Sequence, residues 1–328
     1  LKKDGKERKL CYQKEAKLMT KPIAHPLHWI KWPLVSLLAL ALLAGIGFFL
    51  RPVAYLNAWT YLHEDLAGID SRAVQVGGHR VHYLAEGPAN GPVVVLVHGL
   101  GASAEYWRNL APYLAQSGFR VYIPDLIGYG RSEHPADFSY SVRDEAAVVV
   151  GFMDALGLKQ VELGGWSMGG WIAALVAAEH PERVSRLMLF DAAGLRVPPT
   201  FDTALFTPTT VAQLDELKAL LSPQPQPIPA YVARDILRHF RRNGWVVHRA
   251  LATMFTAQDV VDNVLPQLKM PVLLVWGSLD QITPLSDGET MHRLIPQSQL
   301  DVFPGCGHMA PIECSAALGP KVVAFARE

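Results

Sequence analysis

Residues 161–179 read VELGGWSMGGWIAALVAAE, and this stretch decides the architecture. The apolar start at 161–163 fits a strand, and the run of small and apolar residues from Met168 fits a buried helix. Between them Gly165-Trp166-Ser167-Met168-Gly169 matches G-x-S-x-G. The pattern has a steric meaning. A residue on a sharp strand-to-helix turn sits in strained backbone, and glycines two positions either side let neighbouring chain approach without a clash. The turn lifts the Ser167 hydroxyl above the sheet. It also puts the Met168 N–H at a helix N-terminus, where it can donate to an oxyanion. Ser167 is therefore the candidate nucleophile and Met168 a candidate oxyanion donor.

The surrounding chain repeats the strand–helix alternation. Residues 92–97 (PVVVLV) form a continuous apolar run, as expected of a strand buried on both faces. Similar runs stand at 121–123, 186–190, 272–276 and 299–303, and segments 72–76 and 79–85 flank Gly77-Gly78 as a hairpin. Helical patterns at 105–115, 142–156, 168–179, 287–294 and 310–325 lie between them. The alternation implies an α/β fold: a mostly parallel sheet with helices on both faces. It breaks at 196–266, where PPTFDTALFTPTT and SPQPQPIP precede amphipathic spacing at Tyr231, Ile236, Phe240, Val247 and Leu251. That stretch reads as a helical cap over the carboxyl ends of the strands, where open α/β sheets bind ligands. The core then comprises 72–195 and 267–328.

A serine hydroxyl needs a base, and the base an orienting acid. His308, in Pro304-Gly305-Cys306-Gly307-His308-Met309, follows the last strand on a glycine-flanked loop and completes the order Ser…Asp…His. Asp280, ending Trp276-Gly277-Ser278-Leu279-Asp280, is the favoured acid. Asp191, after the strand ending in Phe190, is its rival and otherwise reads as a turn cap. Glu313 reads as structural. The second oxyanion donor is expected in His98-Gly99-Leu100-Gly101, from the Leu100 N–H, with His98 ordering the loop. Asp125, in DLIGYGRS, is expected to bond local backbone.

HGLG, DLIGYGRS, GWSMGG, WGSLD and GCGH, in this order, resemble the α/β-hydrolase superfamily over about residues 72–328. The resemblance implies an eight-stranded, mostly parallel sheet, a Ser–His–Asp triad and a cap after the sixth strand. Serine as nucleophile argues against the haloalkane dehalogenase and epoxide hydrolase branches. Within the superfamily the segment GWSMGGWIAALVAAEHPERVSRLMLFDAAGL looks like the nucleophile region of membrane-anchored monoacylglycerol lipases and similar bacterial lipases.

The N-terminus carries a separate signal. The 328 residues include 30 Lys plus Arg and 30 Asp plus Glu, which argues against a nucleic-acid binder driven by overall charge. Half of the residues are apolar, so the chain can bury a sizeable core. The balance hides an excess of +6 in residues 1–31, where nine Lys/Arg face three acids. Next come 19 uncharged residues, WPLVSLLALALLAGIGFFL at 32–50, with Trp29, Trp32, Tyr55, Trp59 and Tyr61 near the ends. This reads as a single membrane span, N-terminus in the cytoplasm, followed by a juxtamembrane linker at 51–71. The competing reading, a cleaved signal peptide, needs a small-x-small site where Leu50-Arg51-Pro52 stands. Leu1 is not a start methionine; Met19 is an alternative start. Cys306 and Cys314 are open to pairing or to remaining free.

The expected function is a serine carboxylester hydrolase, a lipase or esterase acting on an acylglycerol or other lipid ester. Trp166, Phe206, Tyr231 and Phe240 are candidate substrate contacts, among cap residues that also include Leu205, Trp245 and Phe255. Arg234, Arg238, Arg241 and Arg242 form a basic cluster that reads as a solvated face or a contact for anionic lipid. No H-E-x-x-H, paired C-x-x-C or P-loop occurs, so the sequence implies neither metal nor nucleotide cofactor. Two alternatives remain open: a carbon–carbon bond hydrolase of dienone acids, and a non-catalytic receptor or scaffold on the same fold.

Overall fold

The computed structural model describes residues 28–254, 256 and 258–328. Residues 1–27 of the basic segment, with Cys11 and Met19, lie outside the described residues, as does Phe255. The chain divides into a unit ending at Arg51 and a second unit, Pro52–Glu328. In the first, α1 spans His28–Leu50. Its stretch Trp32–Leu50 has a mean hydropathy of 2.4, none of it buried, and is long and apolar enough to cross a membrane.

The second unit opens with a helix where the sequence reading expected a linker. Helix α2, Pro52–Leu66, is held from both ends by charge. The Val53 N–H donates to Asp235 Oδ2 at 3.1 Å, near a helix start that offers unpaired N–H groups. Glu64 is buried against Arg131 at 2.9 Å, and the Arg131 guanidinium lies 4.3 Å from the Tyr61 ring centre. Tyr61, read from sequence as a membrane-interface residue, thus has a partner within the body.

Eight strands follow: β1 Asp70–Val76, β2 His79–Glu86, β3 Val93–Val97, β4 Arg120–Pro124, β5 Val161–Trp166, β6 Val184–Phe190, β7 Val272–Gly277 and β8 Ser298–Phe303. They form one sheet in the order β1-β2-β4-β3-β5-β6-β7-β8. The β1–β2 and β2–β4 pairs are antiparallel and the other five are parallel.

Two-residue periodicity feeds two cores. On β3, Val95 and Val97 point into the core with Tyr83, Leu163 and Ile172, while Val94 and Leu96 point into the opposite one with Ile123, Leu114 and Phe325. The helices dividing these faces are α3 Ala111–Gln116, α4 Val142–Ala155, α5 Met168–Glu179, α8 Leu285–Leu294, α9 Ala310–Glu313 and α10 Ser315–Arg327. Between β6 and β7 the insertion carries α6 Val211–Leu221 and α7 Ala230–Met254. A Thr210–Gln213 capping box starts α6, satisfying backbone donors at its free end.

Two expected helices are broken. Residues 105–115 are a 3₁₀ turn, Ala104–Trp107, and then α3, because Pro112 lacks an N–H and fits only a helix start. Residues 310–325 divide at Cys314 into α9 and α10. Cys314 is disulfide-bonded to Cys306, with Cα atoms 6.2 Å apart.

Candidate active site

Ser167 sits between β5 and α5 with φ 57° and ψ −120°, a left-handed conformation for a residue with a side chain. The turn depends on its glycines. A Cβ on Gly165 would come 2.1 Å from the Gly169 carbonyl oxygen, and one on Gly169 would come 2.3 Å from that of Val97. Only bare backbone lets β3, β5 and α5 meet so closely.

Three strand ends bring the polar groups together. The Ser167 hydroxyl lies 2.9 Å from His308 Nε2, after β8, and His308 Nδ1 lies 2.8 Å from Asp280 Oδ2, after β7. A carboxylate only accepts, so Nδ1 carries the ring proton and Nε2 is the acceptor facing the serine. Asp280 Oδ1 accepts the N–H groups of Ile282 at 2.8 Å and Thr283 at 3.1 Å, and the Thr283 hydroxyl stands 2.8 Å from Oδ2. Asp280 and His308 are both buried. The carboxylate is therefore held by a complete set of donors, as a buried charge requires.

Asp191 is also buried here, yet its Oδ1 accepts the Gly277 N–H at 2.7 Å and the structure records no hydrogen bond from it to His308. Burial pushes its carboxyl well above the usual range, and the neighbouring Asp280 charge pushes it further. Through the Gly277 hydrogen bond Asp191 pins β6 to β7.

The loop after β3 reaches Ser167 through Gly99, where a Cβ would meet the Ser167 Cβ at 3.1 Å and the Trp166 ring at 3.2 Å. That contact sets Leu100 beside the serine, and both line one cavity. Met168 is the first residue of α5, so its N–H has no intrahelical acceptor. His98 is buried; its Nδ1–H donates to Gly99 O at 2.8 Å and its Nε2 accepts the Leu126 N–H at 3.0 Å. Burial lowers its pKa, keeping the neutral ring that this pattern needs. Asp125 accepts from Ala104 N at 2.7 Å, Arg131 N at 2.9 Å and His82 Nδ1 at 2.7 Å. Burial raises its pKa, but the His82 and backbone hydrogen bonds outweigh it and leave the carboxyl below its usual value. The two residues clamp the loop after β3 to the loop after β4.

The cavity beside Ser167 has a volume of about 530 Å³, with Phe206, Leu251, Met254 and Val260 on its apolar side. Of the four expected substrate contacts, Phe206 lines it. Trp166 does not: its Nε1–H donates to His308 O at 2.6 Å, and its ring stacks on Tyr106, so it braces the histidine loop. Phe240 packs with Leu214, Ala233 and Leu237 in the cap's own small core, and Tyr231 is likewise absent from the lining. The periodicity identified the apolar face of α7 but not which core that face joins. In the basic cluster, Arg238 pairs with Asp235 at 2.6 Å, and Arg234, Arg241 and Arg242 are exposed.

Sequence reasoning missed Thr283 and Asp287, both of which line the cavity. A hydroxyl residue three positions after Asp280, where the carboxylate can collect backbone N–H groups, was the available signal for Thr283.

The sequence matches the profile of the alpha/beta hydrolase fold family over residues 92–220 and 238–314. It is 34% identical over 251 residues to the 2-hydroxymuconate semialdehyde hydrolase of Pseudomonas sp. (strain CF600), covering 72% of this chain and 87% of that one. It is 26% identical over 292 residues to the monoacylglycerol lipase abhd6-B of Xenopus laevis, covering 81% and 85%. A crystal structure of a membrane phospholipase A, described as a bacterial virulence factor, superposes with a TM-score of 0.78 at 29% identity, covering 90% of this chain and 98% of that one. With its eight-stranded sheet, its serine on a glycine-framed turn and a profile matching residues 92–220 and 238–314, the chain belongs to the α/β-hydrolase family.

Proposed function

We propose that the protein is a serine carboxylester hydrolase, a lipase or esterase of the kind that cleaves monoacylglycerols. The observation that carries this reading is the hydrogen-bonded run from Ser167 through His308 to Asp280, 2.9 and 2.8 Å, opening on an apolar cavity. His308 takes the Ser167 proton as the hydroxyl attacks the ester carbonyl, and Asp280 stabilises the imidazolium. The Leu100 and Met168 N–H groups receive the oxyanion, each donor worth about 3–4 kcal/mol in the transition state. His308 then protonates the leaving alcohol. Water activated by the same ring hydrolyses the acyl-enzyme.

Location follows from three supports. Trp32–Leu50 acts as an uncleaved anchor, and the +6 excess of residues 1–31 keeps the N-terminus cytoplasmic. The body then lies on the opposite side, where an oxidising compartment suits the Cys306–Cys314 bond.

A second reading, cleavage of a carbon–carbon bond in dienone acids, is favoured by the likeness to a 2-hydroxymuconate semialdehyde hydrolase. It requires a cation for the substrate carboxylate, and Arg196 is the cation on the cavity lining. A free dienoic acid cleaved faster than any ester would establish it.

The test compares wild type with Ser167→Ala on monoacylglycerols, triacylglycerols and short aryl esters. The proposal expects turnover of monoacylglycerols by wild type and none by the variant. Equal turnover by both sinks the mechanism; preference for short water-soluble esters sinks the lipase assignment and leaves the mechanism standing.

A further inference from the structure

Among the described residues lining the cavity, Arg196 and Asp287 are the charged ones. Arg196 is exposed. Asp287, in the first turn of α8, is half-buried, and its carboxyl has no hydrogen-bond or ion-pair partner among the described residues. Burial pushes its pKa up to about 6, and the Asp280 charge adds to the effect. Withdrawing a carboxylate from water costs free energy unless something hydrogen-bonds to it. No described group donates to it, so water in the cavity does, and a ligand that displaces this water has to replace its hydrogen bonds.

The position indicates which part of an ester it meets. Ile282, Thr283 and Pro284 line the cavity with Asp287, and the Thr283 hydroxyl lies 3.3 Å from His308 Nδ1. His308 hands its proton to the leaving alcohol from Nε2, at Ser167, and Asp287 is the carboxylate that the cavity lining offers to hydroxyls on that alcohol half. The acyl chain takes the apolar wall of Phe206, Leu251, Met254 and Val260.

We propose that Asp287 forms a headgroup subsite that accepts hydrogen bonds from the hydroxyls of a neutral polyol, such as the glycerol of an acylglycerol, and disfavours anionic alcohols. The inference rests on the ester-hydrolase reading and deepens it. Asp287 touches neither Ser167 nor His308 by hydrogen bond, so its effect is on choice between substrates rather than on the bond-breaking step.

The test uses the full chain in detergent and three esters of one acyl chain: the 1-monoacylglycerol, the methyl ester and the 1-acylglycerol 3-phosphate. Asp287→Leu is expected to lower the ratio of kcat/KM for monoacylglycerol over methyl ester about tenfold, the weight of one charged hydrogen bond. Asp287→Asn, which keeps shape and loses charge, is expected to raise relative use of the phosphate-bearing ester several-fold, and it serves if the Leu variant misfolds. Ratios unchanged in both variants, or an equal fall on all three esters, overturn the subsite while ester hydrolysis stands. Wild type that cleaves a free dienoic acid and none of these esters overturns the ester reading itself, and the subsite with it.

Discussion

Thr283 donates its hydroxyl to Asp280 at the same carboxylate oxygen that faces the His308 ring. The distances to that oxygen are 2.8 Å from Thr283 Oγ1 and 2.8 Å from His308 Nδ1, so the threonine fixes the direction in which the acid holds the base. Its hydroxyl also lies 3.0 Å from the Asp191 carbonyl oxygen, joining the ends of β6 and β7 behind the site.

Thr283→Val should therefore lower kcat about tenfold with little change in KM, the loss expected for a hydrogen bond to a charged group. Thr283→Ser, which keeps the hydroxyl, should recover most of it. Steady-state kinetics on one ester with both variants checks the pair; an equal loss in Val and Ser would mark packing rather than positioning.

The two buried aspartates should separate cleanly. Burial and the neighbouring Asp280 charge both favour the neutral form of Asp191, and Asp191→Asn keeps an acceptor for the Gly277 N–H, so it should leave turnover within a few-fold. Asp280→Asn removes the charge opposite His308 and should cost on the order of 10⁴ in kcat. The reverse ranking would make Asp191 the orienting acid.

Much of this constellation was legible in the sequence because it is short-range. Five strand-end motifs sit within a few residues of an apolar run, and each turn is specified by its own glycines. What was hidden depended on distant partners. Residues 51–71 read as a linker because Tyr55, Trp59 and Tyr61 suggested an interface, whereas Glu64 and Tyr61 are claimed by Arg131, some seventy residues on. Phe240 was recognisable as part of an apolar helix face, but only the fold of the cap shows that it packs on Leu214 and Leu237. Asp287 opens the helical pattern 287–294, and nothing in that pattern marks the cavity beside it.

Stability should fall as pH rises through neutrality. Burial pushes Glu162 on β5 up to about 7, against the opposing Arg186 charge, and pushes Glu86 up to about 6. A carboxyl with a raised folded-state pKa holds a proton that the unfolded chain has released. Its contribution is complete below the unfolded value near 4.5 and disappears as pH climbs past about 6 to 7. Denaturant melts of Glu162→Gln and wild type check this: the variant should gain on wild type between pH 5 and pH 8, and a constant difference would contradict it.

The Cys306–Cys314 bond joins cysteines eight positions apart and closes a short loop around His308. By chain entropy such a loop contributes about 2–3 kcal/mol. Replacing both cysteines by serine should lower stability by about that amount and reduce turnover by loosening the histidine loop. Reductant should do the same to wild type and nothing to the variant in a denaturation series.

The central claim is that Ser167 is the nucleophile, and covalent labelling tests it most directly. Wild type treated with a fluorophosphonate should carry one adduct, found by peptide mass spectrometry on Ser167, with none on Ser167→Ala and much slower labelling of His308→Ala. An adduct on another residue, or ester turnover that persists in wild type with Ser167 unlabelled, would contradict the account.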